Sequence, residues 1–288
     1  MITAIILTFN EKLHIERCIS NVQQVADEII IVDSFSTDGT QELARALGAK
    51  VIERKFIHQA DQLQWAIDNL EFKNEWIIRL DADEFLTPEL VNELKNRIPL
   101  LPPDIMGVHM KRRVYFMNQW IRRGYYPMIL LRIWRKGHAY VEQKWMDEHI
   151  RIKDGQTLTM KFDFVDQNLN GLSWWTSKHN SYSTREAIEI LNRKYQLTAS
   201  SISKEGLKRD KSFYLKLPLF LRPLLYFFFR YIFRFGILEG KAGLIWHVLQ
   251  GFWYRFLVDA KIYQIERIAR IENKSIPQVL DGEFGVRL

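Results

Sequence analysis

Two carboxylates spaced two residues apart, Asp81 and Asp83, follow the apolar run 76–80. After a buried strand, that spacing lets both reach one hard divalent cation, with water and phosphate oxygens completing its shell. Magnesium or manganese held in this way neutralises a departing diphosphate. A second polar cluster, Thr8, Phe9, Asn10 and Glu11, ends the apolar run Ile2–Thr8. A third begins at the end of the run Glu28–Asp33 and holds Asp33, Ser34, Ser36, Thr37, Asp38 and Thr40. Asp, Ser and Thr also cap helices, and capping explains Ser36, Asp38 or Thr40 equally well when each is taken alone. Three acidic strand ends together ask for a shared ligand.

The elements that must position these residues alternate along the first hundred positions. Apolar runs at 2–8, 28–33, 50–52 and 76–80 predict strands, and the spacing in 11–24, 37–47 and 58–70 predicts helices between them. Gly48 stands where a helix C-terminus needs a left-handed residue. This order implies right-handed crossovers and a mostly parallel sheet flanked by helices, an α/β fold. Ligands bind such sheets at the carboxyl ends of the strands, which is where the three clusters fall. A further short helix follows Pro88, strands are predicted over 106–117 and 129–134, and 173–271 reads as helical. The expected division is a catalytic domain over 1–170 and a helical region over 171–288.

Composition narrows the class. With 47% hydrophobic residues the chain can bury a substantial core, and its single cysteine, Cys18, rules out a disulfide framework or a cysteine-based zinc site. No basic n-region or cleavage site precedes the first apolar run, so no secretory leader is expected. There is no G-x-G-x-x-G after the first strand and no G-x-x-x-x-G-K-[ST], which sets aside dinucleotide oxidoreductases and P-loop enzymes.

The run Ile6-Leu7-Thr8-Phe9-Asn10-Glu11, the run Ile31-Val32-Asp33-Ser34-Phe35-Ser36-Thr37-Asp38-Gly39-Thr40 and Asp81-Ala82-Asp83 together resemble the family 2 inverting glycosyltransferases of the GT-A fold. The likeness is to the bacterial branch that builds lipopolysaccharide core, capsule or exopolysaccharide. It covers residues 1–150, and the later run Phe235-Gly236-Ile237-Leu238-Glu239-Gly240-Lys241-Ala242-Gly243 also resembles that branch.

The resemblance implies transfer of one sugar from a nucleotide-diphosphate sugar, a UDP-sugar, to a lipid-linked glycan. Thr8, Asn10 and Glu11 would line the nucleotide pocket, and Asp33 would contact base or ribose. Asp81 would face the ribose or the metal, and Asp83 would be the main ligand of Mg2+ or Mn2+. Many members carry a second acid after the one matched by Asp33, where this chain has Ser34, so base recognition stays open. The general base that takes the acceptor's proton would come from Trp145-Met146-Asp147-Glu148-His149, with Glu148 first and Asp147 second. The Q-x-x-R-W run of processive members is absent, which implies single addition.

Lys178, Tyr182 and Arg185 share a helical face that could meet phosphates of donor or acceptor. From 204 to 241 nine Lys/Arg face three acids, and the same stretch is rich in Phe and Tyr. Its apolar run 215–235 is broken by Lys216, Pro218, Arg222, Pro223, Arg230 and Arg234, too many breaks for a spanning helix. An interfacial helix fits better, with Arg222, Arg230 and Arg234 at anionic headgroups and Phe227, Phe228 and, further on, Trp253 at the acyl boundary. The chain is thus expected as a peripheral protein on the cytoplasmic face of a bacterial inner membrane. The contiguity of the aromatics argues against nucleic acid as the partner. A nucleotidyltransferase, or a non-catalytic membrane scaffold with a transferase-like domain, are the alternatives.

Overall fold

The computed structural model describes residues 2–142, 149–197 and 209–286, with side chains from 213 in the last stretch. The described residues form two compact units, one ending at Leu169 and the other beginning at Asn170.

In the first unit, β1 (Ile2–Thr8), β2 (Glu28–Asp33), β3 (Lys50–Glu53) and β4 (Trp76–Asp81) form a parallel sheet in the order β3-β2-β1-β4. Every residue of β1 is buried. That is why β1, β2 and β4 read as nearly continuous apolar runs, since both their faces are covered, while β3 at the edge exposes Lys50 and Glu53. Ile6, Ile31, Ile78 and Leu80 face α1 (Lys12–Val22), which buries Ile15, Cys18, Ile19 and Val22 as one stripe. The alternate residues Ile5, Ile30, Val32 and Ile77 join Leu63 and Ala66 of α3 (Gln59–Asn69) on the other face. Each fully buried Ile or Leu contributes about 1.5–3 kcal/mol. Between β2 and β3 lies α2 (Thr40–Ala46), and Gly48 behind it has the expected positive φ of 83°.

Beyond β4 the sheet becomes mixed. The further elements are β5 (Glu84–Leu86), α4 (Pro88–Arg97), β6 (Ile105–Phe116), β7 (Gln119–Trp120), β8 (Met128–Arg135), β9 (Ala139–Val141), β10 (Ile150–Ile152) and β11 (Gln156–Gln167). The order continues β4-β8-β6-β11-β5, with β8 antiparallel to both neighbours and β11 parallel to β6. The α/β class stands; parallel pairing holds throughout the first four strands and gives way to alternation after them. Because β8 reverses direction between β4 and β6, the carboxyl ends of β1, β2, β4, β6 and β11 share one edge. β9 and β10 form a separate hairpin.

The second unit is helical: α5 (Leu172–Tyr195), α6 (Arg209–Lys216), α7 (Leu221–Phe228), α8 (Gly240–Trp246), α9 (Tyr254–Ile271) and α10 (Ile276–Phe284). Ala187, Ile188 and Leu191 of α5 pack on Val258, Ile262 and Ile265 of α9 and on Val279 and Leu280 of α10. π-helical turns at Phe229–Phe233 and His247–Trp253 extend α7 and α8. Among the described residues no helix is long and apolar enough to cross a membrane.

The expected headgroup role fails for Arg222. It is 2% exposed, and its guanidinium is forked onto Asp259, itself fully buried. The other carboxylate oxygen of Asp259 accepts from the Phe220 amide at 2.8 Å. A buried carboxylate demands such a partner, so Arg222 serves the interior. Arg230 is half-buried and donates to the Tyr226 hydroxyl. Phe227 stacks on Tyr231 at 5.3 Å, and Trp253 packs on the α5–α9 core. Phe228 and Arg234 are exposed.

Candidate active site

The loops after β1 and β2 are woven together by their polar side chains. In-register pairing sets Thr8 beside Asp33, and the Thr8 hydroxyl donates to Asp33 Oδ2 at 2.6 Å. Asp33 also accepts from the Ser36 amide at 2.7 Å, the Ser36 hydroxyl at 2.6 Å and Gln41 Nε2 at 2.7 Å. A carboxylate has about four lone-pair sites, so the fully buried Asp33 is saturated and acts as the hub of this loop. The Asn10 amide donates to Ser36 Oγ at 2.7 Å, and Asn10 Oδ1 accepts from the Thr37 amide at 2.9 Å. The Glu11 amide donates to Thr40 Oγ1 at 2.8 Å. Burial pushes the Asp38 carboxyl up, but hydrogen bonds from the Thr40 hydroxyl and from the Lys12 and Thr40 amides outweigh it and hold the group below the usual range. Asn10 and Phe35 adopt positive φ of 55° and 61°, and the Phe9 and Phe35 side chains are exposed.

His14 fixes the next layer. Its Nε2 accepts from the Leu169 amide at 2.9 Å, so Nδ1 carries the proton and donates to Glu11 Oε2 at 2.7 Å. Glu11 therefore lies at the carboxyl end of β1 with one carboxylate oxygen already held.

The two aspartates after β4 have different surroundings. Asp81 Oδ1 accepts from Arg79 at 2.8 Å and from Gln59 at 3.1 Å, and Arg132 stands 3.8 Å from Oδ2. The Asp81 amide donates to Glu84 Oε2, whose other oxygen accepts from the buried Arg132 at 2.5 Å. Burial pushes Glu84 up to about 8 against the pull of Arg132. Burial also lowers Arg132, with Arg79 adding to the effect. Asp83 is looser: Oδ2 accepts from Asn168 at 2.9 Å, and Oδ1 has no hydrogen-bond partner among the described residues.

That open oxygen fits a hard cation bound through one or two carboxylates plus phosphate oxygens. Among the described residues no group of three or more His, Cys, Asp or Glu forms a self-sufficient cage. A cavity of about 300 Å³ lined by Lys73, Trp76, Pro99 and Arg135 opens at the opposite edge of the sheet, away from these groups.

A family model described as glycosyl transferase family 2 matches residues 3–169. The chain belongs to this family. Among similar proteins, an uncharacterized glycosyltransferase of Rickettsia bellii is 45% identical over 94 residues, 33% of this chain and 31% of that one. The chain thus spans about a third of that relative's length. The lipopolysaccharide core biosynthesis glycosyltransferase LpsC of Rhizobium meliloti is 28% identical over 282 residues, 91% of this chain and 92% of LpsC. Among solved structures, glucosyl-3-phosphoglycerate synthase from Mycobacterium tuberculosis, in complex with Mn2+, UDP and glucosyl-3-phosphoglycerate, matches with 23% identity and a TM-score of 0.33 over 40% of this chain and 44% of that one.

Within this family 2 site the structure brings Thr8, Asn10, Glu11, Asp33, Asp81 and Asp83 to one edge. Asp147 and Glu148 lie outside the described residues. His149 stands 3.4 Å from Glu142. Lys178, Tyr182 and Arg185 belong to the second unit, where Lys178 lies 4.5 Å over the Trp174 ring and Arg185 5.9 Å over Tyr182. Arg79, Arg132, Gln59 and Asn168 were missed from sequence. Two of them carried a signal: an arginine inside the apolar runs of β4 and β8 must be paired where it is buried.

Proposed function

We propose that this chain is a metal-dependent, inverting hexosyltransferase. It moves one sugar from a nucleoside-diphosphate sugar, a UDP-sugar, to a lipid-linked glycan in lipopolysaccharide or exopolysaccharide assembly. The observation that carries the reading is the single sheet edge shared by the Thr8–Asp33 loop and the Asp81/Asp83 pair. Likeness to LpsC along nearly the whole chain favours the lipopolysaccharide setting.

Thr8, Asn10 and Glu11 would face the nucleotide on a loop whose shape Asp33 fixes. Asp81, matched in charge by Arg79, suits a ribose hydroxyl, and Asp83 would bear Mg2+ or Mn2+, with Asp81 alongside. When bound, the ion offsets charge building on the leaving diphosphate. Glu148, or Asp147, would take the acceptor hydroxyl's proton as its oxygen attacks the anomeric carbon. The bond to the diphosphate breaks on the opposite face, which inverts the centre. Lys178, Tyr182 and Arg185 would meet acceptor phosphates.

The exposed Phe228, Phe229, Phe233 and Phe235, with the exposed Arg234 and Lys241, would rest on the anionic cytoplasmic leaflet of a bacterial inner membrane. The test is UDP release from a panel of UDP-sugars, with and without a bacterial glycolipid extract. Glycolipid-stimulated release that needs Mn2+ or Mg2+ is expected. Release indifferent to every glycolipid and to metal would refute the proposal.

A further inference from the structure

A second group of side chains stands further along the same edge, across Asp83 from the nucleotide loop. At the end of β6, Arg113 Nε donates to Asp163 Oδ2 at 2.6 Å, and Lys111 Nζ lies 3.7 Å from Asp163 Oδ1. Tyr126 OH completes the shell of this carboxylate at 3.1 Å, and the Asp163 side chain is only 4% exposed. The β7 residue Trp120 has the Arg113 guanidinium 4.4 Å and the Arg122 guanidinium 4.6 Å from its ring. Arg122 is exposed and has no acid partner among the described residues. Two cations, Lys111 and Arg113, therefore share one carboxylate, and a third, Arg122, joins Arg113 at one indole, leaving more positive than negative charge at this rim.

The turn that carries this rim is tied to the metal-binding end of the site. Gln167 Nε2 donates to Asn118 Oδ1 at 3.1 Å, while the Gln167 amide donates to the Asp83 carbonyl at 3.1 Å. Along the edge the order is then nucleotide loop at β1 and β2, Asp81/Asp83 at β4, and the basic rim at β6 and β7. A guanidinium fork matches the planar oxygens of a carboxylate or phosphate, and Trp120 holds two such forks in place.

We infer that Arg113 and Arg122, ordered on Trp120, together with Lys111 beside Asp163, form an acceptor-side subsite for an anionic sugar, one bearing a phosphate or carboxylate near the hydroxyl that is glycosylated. The inference rests on the glycosyltransferase reading and names its acceptor class.

The test is calorimetry on the full chain in the presence of UDP and Mn2+, titrated with glucose 6-phosphate, glucuronic acid, methyl glucoside and inorganic phosphate. At least one anionic sugar is expected to bind tenfold or more tightly than methyl glucoside and more tightly than inorganic phosphate. Arg122→Gln should remove about tenfold of that affinity, Arg122→Lys should restore part of it, and the affinity for UDP should stay within twofold. Equal binding of neutral and anionic sugars, or no sugar binding, overturns the inference. So does inorganic phosphate binding as well as the sugars, which would mark a bare anion site. An Arg122→Gln effect on UDP in place of the sugar would assign the rim to the donor diphosphate and also overturn it. Failure of UDP itself to bind, with Arg122-dependent binding of the anionic sugar intact, would count against the proposed function and leave the rim standing.

Discussion

At the scale of single residues, the site is built by saturating one carboxylate and leaving another open. Asp33 has all four acceptor positions filled by Thr8, Ser36 and Gln41, whereas Asp83 Oδ1 accepts no hydrogen bond among the described residues. Asp33→Ala would strand those buried donors and is expected to cost roughly 2–4 kcal/mol of stability, read as a lowered denaturant midpoint. The buried Cys18 thiol lies 3.6 Å from the Asp81 carbonyl. Burial, with Glu84, Asp83 and Asp81 adding to it, pushes its thiol well above the usual range. Only the thiolate is nucleophilic, so Cys18 should resist iodoacetamide at pH 8 in the native protein and react on unfolding. Ready labelling of the native chain would contradict the packing described for α1.

At the scale of elements, the parallel half of the sheet was legible because strands covered on both faces are written as unbroken apolar runs. β11 does carry a strand's alternation, Leu158, Met160, Phe162 and Phe164 against Thr159 and Lys161, though it was not among the expected strands; its pairing with β6 lies about 50 residues back in sequence. Asn168 reaches Asp83 only because β11 returns to that edge, a contact that no local spacing encodes. Arg222 reads as a headgroup contact until Asp259, 37 residues away, is brought against it. Within α5, the ring of His179 stacks on Trp175 at 3.5 Å, and its Nδ1 donates to the Trp175 carbonyl. Burial pushes this histidine down to about 4. The unfolded chain, with an ordinary value of about 6.5, binds the proton more readily between those limits, so this contribution is lost as pH falls from 6.5 toward 4. The loss amounts to about 3 kcal/mol across the window. His179→Phe should flatten this part of the stability–pH profile, measured by denaturant unfolding at pH 7 and pH 4.5. An unchanged slope would show that His179 is not held neutral.

At the scale of the whole molecule, a nearly neutral first unit that carries the candidate site is followed by a basic, aromatic second unit. The second unit's apolar exposure is concentrated in 221–248, and Phe233 is 70% exposed. Exchanging Phe229 and Phe233 for Ser should release the folded protein from anionic vesicles. Arg222→Ala acts differently: stranding Asp259 is expected to cost about 3–5 kcal/mol and to unfold the second unit at a lower denaturant concentration. Co-sedimentation that survives the double serine exchange would argue against interfacial binding.

The central claim is that one sheet edge holds a nucleoside diphosphate through a metal borne by Asp83. It is tested most directly by calorimetric titration of the protein and its Asp83→Asn variant with UDP, with and without Mn2+. Mn2+-dependent binding to the wild type, reduced at least tenfold in a variant that unfolds at the same denaturant concentration, is the expected result. Binding that is indifferent to Mn2+, or equal in the two proteins, would contradict the account.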